Sequence, residues 1–286
     1  MHEFDTNDLA RARDLYIEAA RGGHAGAQLR LGQAYEKGEF DLAINLEAAR
    51  TWYQTAAERG DSHAQRRLGW AYEKGELDLV IDLVAALTCF QNAAKRGDML
   101  AQSRLGDALW LGELGLEIDL VAALTCFQNA AKGGNHYAKL RLGFAHEDGD
   151  LGVKIDLEVA RTWFQEAAVD GDGDAQWRLG DAYEFGHLGL KIDLQLALMW
   201  FKKAAEGGDA DAQWRLGRAY EFGHLGLAID VRKALDWYRK AAMGGHADAQ
   251  RRLGRAYEFS HLGLAIDLQL ALMQGSCERS LVSAAL

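Results

Sequence analysis

The chain has 286 residues, 49% of them hydrophobic and 26% charged, with 32 glycines, no proline and a formal net charge of −10. That balance describes a chain able to bury an apolar core, and the negative charge opposes a principal partner built on a phosphate backbone. No stretch approaches the roughly 18 apolar residues of a membrane span, and residues 1–5 lack the basic start of a secretory signal, so a cytoplasmic protein is expected.

In chain order, the first element is an isolated amphipathic helix over residues 8–22, with Leu9, Leu15, Tyr16 and Ile17 as its apolar positions. Residues 1–23 read as a capping half repeat that shields the first full repeat. From residue 24 the dipeptide Leu-Gly recurs at Leu31, Leu68, Leu105, Leu142, Leu179, Leu216 and Leu253, 37 residues apart each time. Seven copies in strict register define an all-α solenoid of helix-turn-helix repeats over residues 24–273, the last copy incomplete.

The fifth copy shows the grammar. Ala175, Leu179, Ala182 and Tyr183 share one side of a first helix, called A, which starts after Asp172 and stops at Gly186. Asp61, Asp98, Asn135 and Asp209 take the cap position of Asp172 in other copies. Ala197, Trp200, Phe201, Ala204 and Ala205 give helix B the same spacing. Helix B begins after Asn45, Asp82, Asp119, Asp156, Asp193, Asp230 or Asp267, each a good N-cap, and ends at Gly60, Gly97, Gly134, Gly171, Gly208 or Gly245, where a left-handed cap suits glycine. Glycine at the Gly180 position lies inside helix A in all seven copies, at about 1 kcal/mol each relative to alanine. Close helix packing is expected to offset that cost, with Ala197 and Ala204 as the facing surface. After Met273 the pattern is abandoned, and residues 274–286 form a divergent tail.

The segments Ala-x-Ala-Gln-x-x-Leu-Gly-x-Ala-Tyr, Gly-x-x-Gly-Leu-x-Ile-Asp and Ala-Leu-x-Trp-Phe-x-Lys-Ala-Ala-x-x-Gly resemble the Sel-one-like repeat (SLR), a relative of the tetratricopeptide repeat. Two departures stand out. The loop from Gly186 to Asp193 is one residue longer than the usual pattern, and the Trp200 position holds Cys89 and Cys126 in the second and third copies. The resemblance implies a right-handed superhelix whose A helices line a concave groove, and adaptor or scaffold work, often in bacterial signalling and host interaction. Secreted relatives stitch each repeat with a cysteine pair, and this chain lacks that pair, which favours a reducing compartment. Cys89 and Cys126 occupy equivalent positions roughly 10 Å apart, beyond disulfide reach, so buried free thiols are expected.

No site chemistry is legible. His187, His224 and His261 recur with Glu184, Glu221 and Glu258, but groups spaced by one repeat cannot share an ion, so a repeated loop hydrogen bond is expected and no metal or cofactor. Arg30, Arg67, Arg104, Arg141, Arg178, Arg215 and Arg252 form a ladder for which pairing with carboxylates is the expected role. Nothing matches a catalytic motif, so no enzyme is expected. The variable positions lie on the side of helix A away from Leu179. There Trp70, Phe144, Trp177, Asp181, Phe185, Trp214, Arg218, Phe222, Arg251 and Arg255 are the candidate partner-binding residues, because large rings on that side have no evident core to enter.

The expected function is a non-enzymatic scaffold or adaptor that holds a peptide or protein segment in the helix A groove. Two alternatives remain open: a nucleic-acid or anion binder using Arg215, Arg218, Arg251, Arg252 and Arg255 with Trp177 and Trp214 as stacking platforms, and an array that self-associates through its C-terminal end.

Overall fold

A computed structural model describes residues 6–258. The expectations for His261, Asp267, Cys277, the end of the last repeat and the tail lie outside these residues. The described residues form fourteen helices and no strand: α1 Thr6–Arg21, α2 Ala25–Lys37, α3 Leu46–Glu58, α4 Ser62–Lys74, α5 Leu83–Lys95, α6 Met99–Leu111, α7 Leu120–Lys132, α8 His136–Asp148, α9 Leu157–Val169, α10 Gly173–Phe185, α11 Leu194–Glu206, α12 Ala210–Phe222, α13 Val231–Met243 and α14 Ala247–Glu258. The chain divides into two compact units, residues 1–138 and 139–286. Within the first, each helix from α1 to α7 packs on the next, and within the second the same holds from α9 to α14. This is the all-α solenoid of helix pairs that the 37-residue period predicts.

The caps explain the boundaries. Asp61, Asp98, Asp172 and Asp209 each accept a hydrogen bond from the amide three residues on, and Asn45, Asp82, Asp119, Asp156, Asp193 and Asp230 do the same for the B helices. His24 and His246 fill the A-helix cap with a ring nitrogen, Nδ1 lying 3.2 Å from the amides of Ala27 and Ala249. Sequence reasoning passed over both because histidine is not among the favoured caps. Gly186 ends α10 at φ 76°, and Gly171 and Gly208 follow their B helices at φ 97° and 99°.

The core is a repeated seam. Ala175, Leu179 and Ala182 from α10 and Ala197, Phe201 and Ala204 from α11 are all essentially inaccessible to solvent. Each buried Leu or Phe stabilises its repeat by about 1.5–3 kcal/mol. The helix-interior glycines face this seam, but their partner is not the alanine surface expected from the sequence. A Cβ on Gly180 would lie 2.8 Å from the Phe201 ring, and one on Gly32, Gly69, Gly106, Gly143 or Gly217 would meet Tyr53, Phe90, Phe127, Phe164 or Tyr238. One edge of the helix B ring lies against the bare backbone of helix A, which is why glycine recurs there.

Helix A is also tied to the preceding helix B. The buried amides of Gln28, Gln176 and Gln213 donate to the carbonyls of Ala20, Ala168 and Ala205, and Gln65, Gln102 and Gln250 repeat the bond. Each adds a second donor to a helix-end carbonyl that also accepts from the glycine amide three residues on, as Ala20 does from Gly23 and Ala205 from Gly208.

The longer A–B loop has its own device. Leu188 adopts the left-handed conformation at φ 54°, with Leu114, Leu151 and Leu225 matching it, and all four are buried. Strain of about 1–3 kcal/mol at a non-glycine residue there is offset by burying a leucine side chain, worth about the same. The loop leucine therefore extends the core beneath the loop. Cys89 and Cys126 are free, yet half-buried rather than buried as expected. Their position is the edge of the seam, where Trp52, Trp163 and Trp237 are also only partly covered. Burial still pushes both thiols above their ordinary value.

Candidate functional site

The arginine ladder is occupied from within. Arg67 reaches Glu36 in the preceding A helix at 3.1 Å, Arg104 reaches Glu73 at 3.2 Å, and Arg178, Arg215 and Arg252 reach Glu147, Glu184 and Glu221 at 3.1, 3.0 and 3.2 Å. Each pair links residues 31 apart, so the ladder joins neighbouring repeats. Burial works to raise the Glu36 carboxyl, but hydrogen bonds from Arg67 and Tyr53 outweigh it and hold the group below the ordinary carboxylate value. The same glutamate positions accept from the helix B phenols: Tyr53 to Glu36 and Tyr238 to Glu221, both at 2.6 Å. In the third copy Trp110 stands where the others carry glutamate.

The repeated loop hydrogen bond of the histidines runs through the backbone, and their side chains differ from copy to copy. His187 Nδ1 lies 2.9 Å from Asp181, while the equivalent of Asp181 in the next copy is Arg218, so His224 has no such carboxylate; both rings tilt against the phenylalanine two residues earlier at 5.8 Å. What repeats is the backbone bond from His187 to Ala182 and from His224 to Ala219. Among the described residues no cluster of His, Cys, Asp and Glu is arranged to hold a metal.

The candidate rings require a correction of premise. Large aromatics on helix A do have something to pack on. Trp70 stands edge-on to Phe90 with centroids 6.4 Å apart, Phe144 to Phe164 at 5.1 Å, and Trp177 to Phe201 at 6.5 Å, while Trp214 leans on Tyr238 at 4.9 Å and stacks on His246 at 5.2 Å. The cause is the helix A glycine, which lets the helix B ring rise far enough for its edge to reach residues one or three positions away. These four are half-buried, each with one face against its neighbours. Phe185 and Phe222 are different: 52% and 50% exposed, they tilt against the loop histidine two residues on, and Phe185 also lies under the Arg215 guanidinium at 5.8 Å. Eight residues of helix, about 12 Å of rise, separate Trp177 from Phe185.

The candidate charges are partly committed. Asp181 accepts from Arg178 at 3.1 Å as well as from His187, and Arg251 pairs with Asp248 at 2.7 Å. Arg218 is partly buried near Tyr238, and Arg255 is exposed on α14. With Arg215 and Arg252 held by glutamates, the cationic patch of the anion-binding alternative is much reduced.

One concavity combines several of these groups. A cleft of about 320 Å³ is lined by Phe144, Asp174, Trp177, Arg178, Asp209 and Asp211, drawn from α8, α10 and the start of α12. Burial raises the Asp174 and Asp209 carboxyls above their ordinary value, and neighbouring carboxylates, Asp211 among them, add to it. The sequence marks Asp209 only as a cap, since nothing in one repeat reveals which side chains of the next will converge on it.

Helix pairs repeating without insertion, joined by a ladder of inter-repeat ion pairs and carrying their variation on one helix face, define a helical repeat protein of the solenoid class. The chain belongs to the Sel1 repeat family, whose model matches residues 5–24, 25–61, 62–98, 100–135, 136–172, 173–209, 210–246 and 247–273. A Sel1 repeat protein from Oxalobacter formigenes is 30% identical over 87% of this chain and 100% of its own, with a TM-score of 0.77. A protective antigen of uropathogenic Escherichia coli with an SLR fold is 33% identical over 96% of this chain, with a TM-score of 0.73, and this chain spans 58% of its length. An immunity protein of Pseudomonas aeruginosa, 20% identical with a TM-score of 0.52 over 75% of this chain and 79% of its own, shares the fold. No curated protein matches the sequence. Sel1 repeat proteins are generally protein–protein interaction scaffolds and are typically non-enzymatic. No described helix is long and apolar enough to cross a membrane.

Proposed function

We propose that this chain is a scaffold or adaptor that holds a segment of a partner protein along the variable face of its A helices, and that it works in a reducing compartment. The observation that carries this reading is the contrast between faces. The seam residues are nearly invariant from copy to copy, whereas positions 177 and 181 change from Leu29, Arg66 and Ser103 to Trp177 and Trp214, and from Gln33 and Trp70 to Phe144 and Arg218. Half-exposed Phe185 and Phe222 lie on the same helices, and rings left in water at that exposure are more common at contact surfaces than elsewhere. The 1–23 half repeat and the repeats over 24–273 are then the frame that presents this face. The anion-binding alternative is disfavoured by the net charge of −10 and by the glutamates that hold Arg215 and Arg252.

A photo-crosslinking amino acid placed singly at Phe185 and Phe222, and as controls at Val84 and Val121 on exposed B-helix positions, tests the reading in the cells that make the protein. Discrete protein adducts from the A positions and none from the B positions are expected. Adducts from the B positions alone, or crosslinks only to nucleic acid, would refute it. Phe185→Ala and Phe222→Ala are cleaner probes than changes at Trp177 or Trp214, whose rings also pack on Phe201 and Tyr238.

A further inference from the structure

We infer that the cleft between Phe144, Trp177 and the carboxylates of Asp174, Asp209 and Asp211 is a seat for a guanidinium, and that an arginine side chain of the partner protein fills it. The inference rests on the scaffold reading and gives the bound segment a chemistry.

The chain contains its own precedent. In the second repeat, the A-helix position of Trp177 is Arg66, whose guanidinium lies 3.0 Å from Asp98, the N-cap of the next A helix, and sits over the Trp70 ring at 4.8 Å. A cation between a cap carboxylate and an aromatic face is thus how the repeat geometry completes this spot. Asp209 is the counterpart of Asp98, 32 residues after Trp177 as Asp98 is after Arg66. Its Oδ1 accepts from the Ala212 amide at 2.6 Å, and its Oδ2 lies alongside Gly173, where no Cβ intrudes. Tryptophan at position 177 cannot supply the charge that Arg66 supplies, but it does supply a ring wall. In the sixth repeat the mismatch is resolved differently, because the next cap is His246 and Trp214 stacks on it. Among the described residues, only the fifth repeat sets a tryptophan beside a cap carboxylate with two further carboxylates at hand.

The charge balance favours a cation. Arg178 also lines the cleft, but its guanidinium is already held by Glu147 and Asp181. His246 Nε2 lies 3.2 Å from Asp211, which leaves Asp174, raised by burial and by Asp172 and Asp211, and Asp209, raised by burial and by Asp211 and Asp174, as the carboxylates facing the cleft. A planar guanidinium suits the seat better than an ammonium, since it can stack on the indole while two of its N–H groups reach carboxylates.

The test is an NMR titration of the full chain with N-acetyl-arginine amide, with N-acetyl-glutamine amide as the uncharged control. Saturable shifts at the Trp177 indole N–H and the Ala212 amide are expected with arginine, not glutamine. The pair Asp209→Asn with Asp211→Asn, which keeps an amide oxygen at the cap, should weaken binding by at least about tenfold. Trp177→Arg should abolish it by filling the seat from within; if that variant loses its dispersed spectrum, the Asn pair decides. Equal shifts with both amides, or unchanged binding in the Asn pair, would overturn the inference. Crosslinks at Phe185 and Phe222 without arginine binding would refute the cleft alone, and arginine binding without such crosslinks would refute the partner as its source.

Discussion

Replacing Gly180 by alanine isolates the contact that spaces the two helices of a repeat. Helix propensity by itself predicts a gain of about 1 kcal/mol for alanine in a helix interior. Against that, the new Cβ would lie 2.8 Å from Cδ1 and Cε1 and 3.0 Å from Cγ of Phe201. The ring is 1% exposed and its near edge is fixed by the backbone of α11, so the clash cannot be relieved by swinging a loose chain end. Overpacking of this kind costs about 1–3 kcal/mol, which offsets the propensity gain and leaves a net loss of up to about 2 kcal/mol. Gly173 in the same helix is the control. A Cβ there meets nothing nearer than Asp209 Cβ at 3.8 Å, and Ala210 and Ala247 already occupy that position in later copies. Gly173→Ala should therefore be neutral or stabilising by up to about 1 kcal/mol. Because repeats open semi-independently, local hydrogen exchange over α10 and α11 is the readout, with a urea melt of the whole chain beside it. Gly180→Ala protecting α10 as well as the parent does would refute the ring contact as the reason for the glycine.

The inter-repeat ion pairs should show the asymmetry of a partly buried couple: Arg215→Met, which strands the well-buried Glu184, should cost about 2 kcal/mol, while Arg215→Met with Glu184→Met should cost less than the single change; additive losses in a double-mutant cycle would contradict this. Gln213→Leu removes the buried amide that reaches Ala205 and should cost about 1 kcal/mol or somewhat more, read as faster exchange at the end of α11; an unchanged rate there would show that water replaces the bond. Acid should weaken the N-terminal unit in a defined direction. The Glu36 carboxyl is held below its ordinary value when folded, so its contribution is complete above the unfolded value, near 4.3, and is lost as pH falls through the lower folded value. Glu36→Gln should flatten that part of the pH–stability curve, and an unaltered curve would assign the acid sensitivity to other groups.

The repeat, its caps and its period were legible because each is a short-range pattern: Asp193 before a helix and Gly186 after one carry their reason in their own neighbourhood. The seam alanines and Leu179 were legible from periodicity for the same reason. What escaped was contact between elements. Periodicity says that Gly180 faces a partner helix but not that Phe201 rather than Ala197 comes against it. It shows Trp177 pointing away from Leu179 but not that the Phe201 edge reaches around to meet it. His187 meets Asp181 from a loop whose buried Leu188 has a left-handed backbone that no pattern of apolar residues reveals. The candidate cleft was the least legible of all, since its lining comes from three successive repeats whose individual residues are ordinary.

Within each unit, substantial packing joins a helix to its immediate neighbour in the chain, and the ladder from Arg67 to Glu36 reaches back only 31 residues. Contacts this local ask for little loop closure before they repay it, and they put the chain among fast folders of low contact order. A ribosome releasing this polypeptide need not finish it before structure forms. Once α1 to α4 have emerged, Leu31 and Tyr53 already have their partners, and within a unit each further length of 37 residues can dock onto a finished surface as it appears. Assembly then proceeds in the order of synthesis, and the apolar surface exposed at any moment is that of a single growing end.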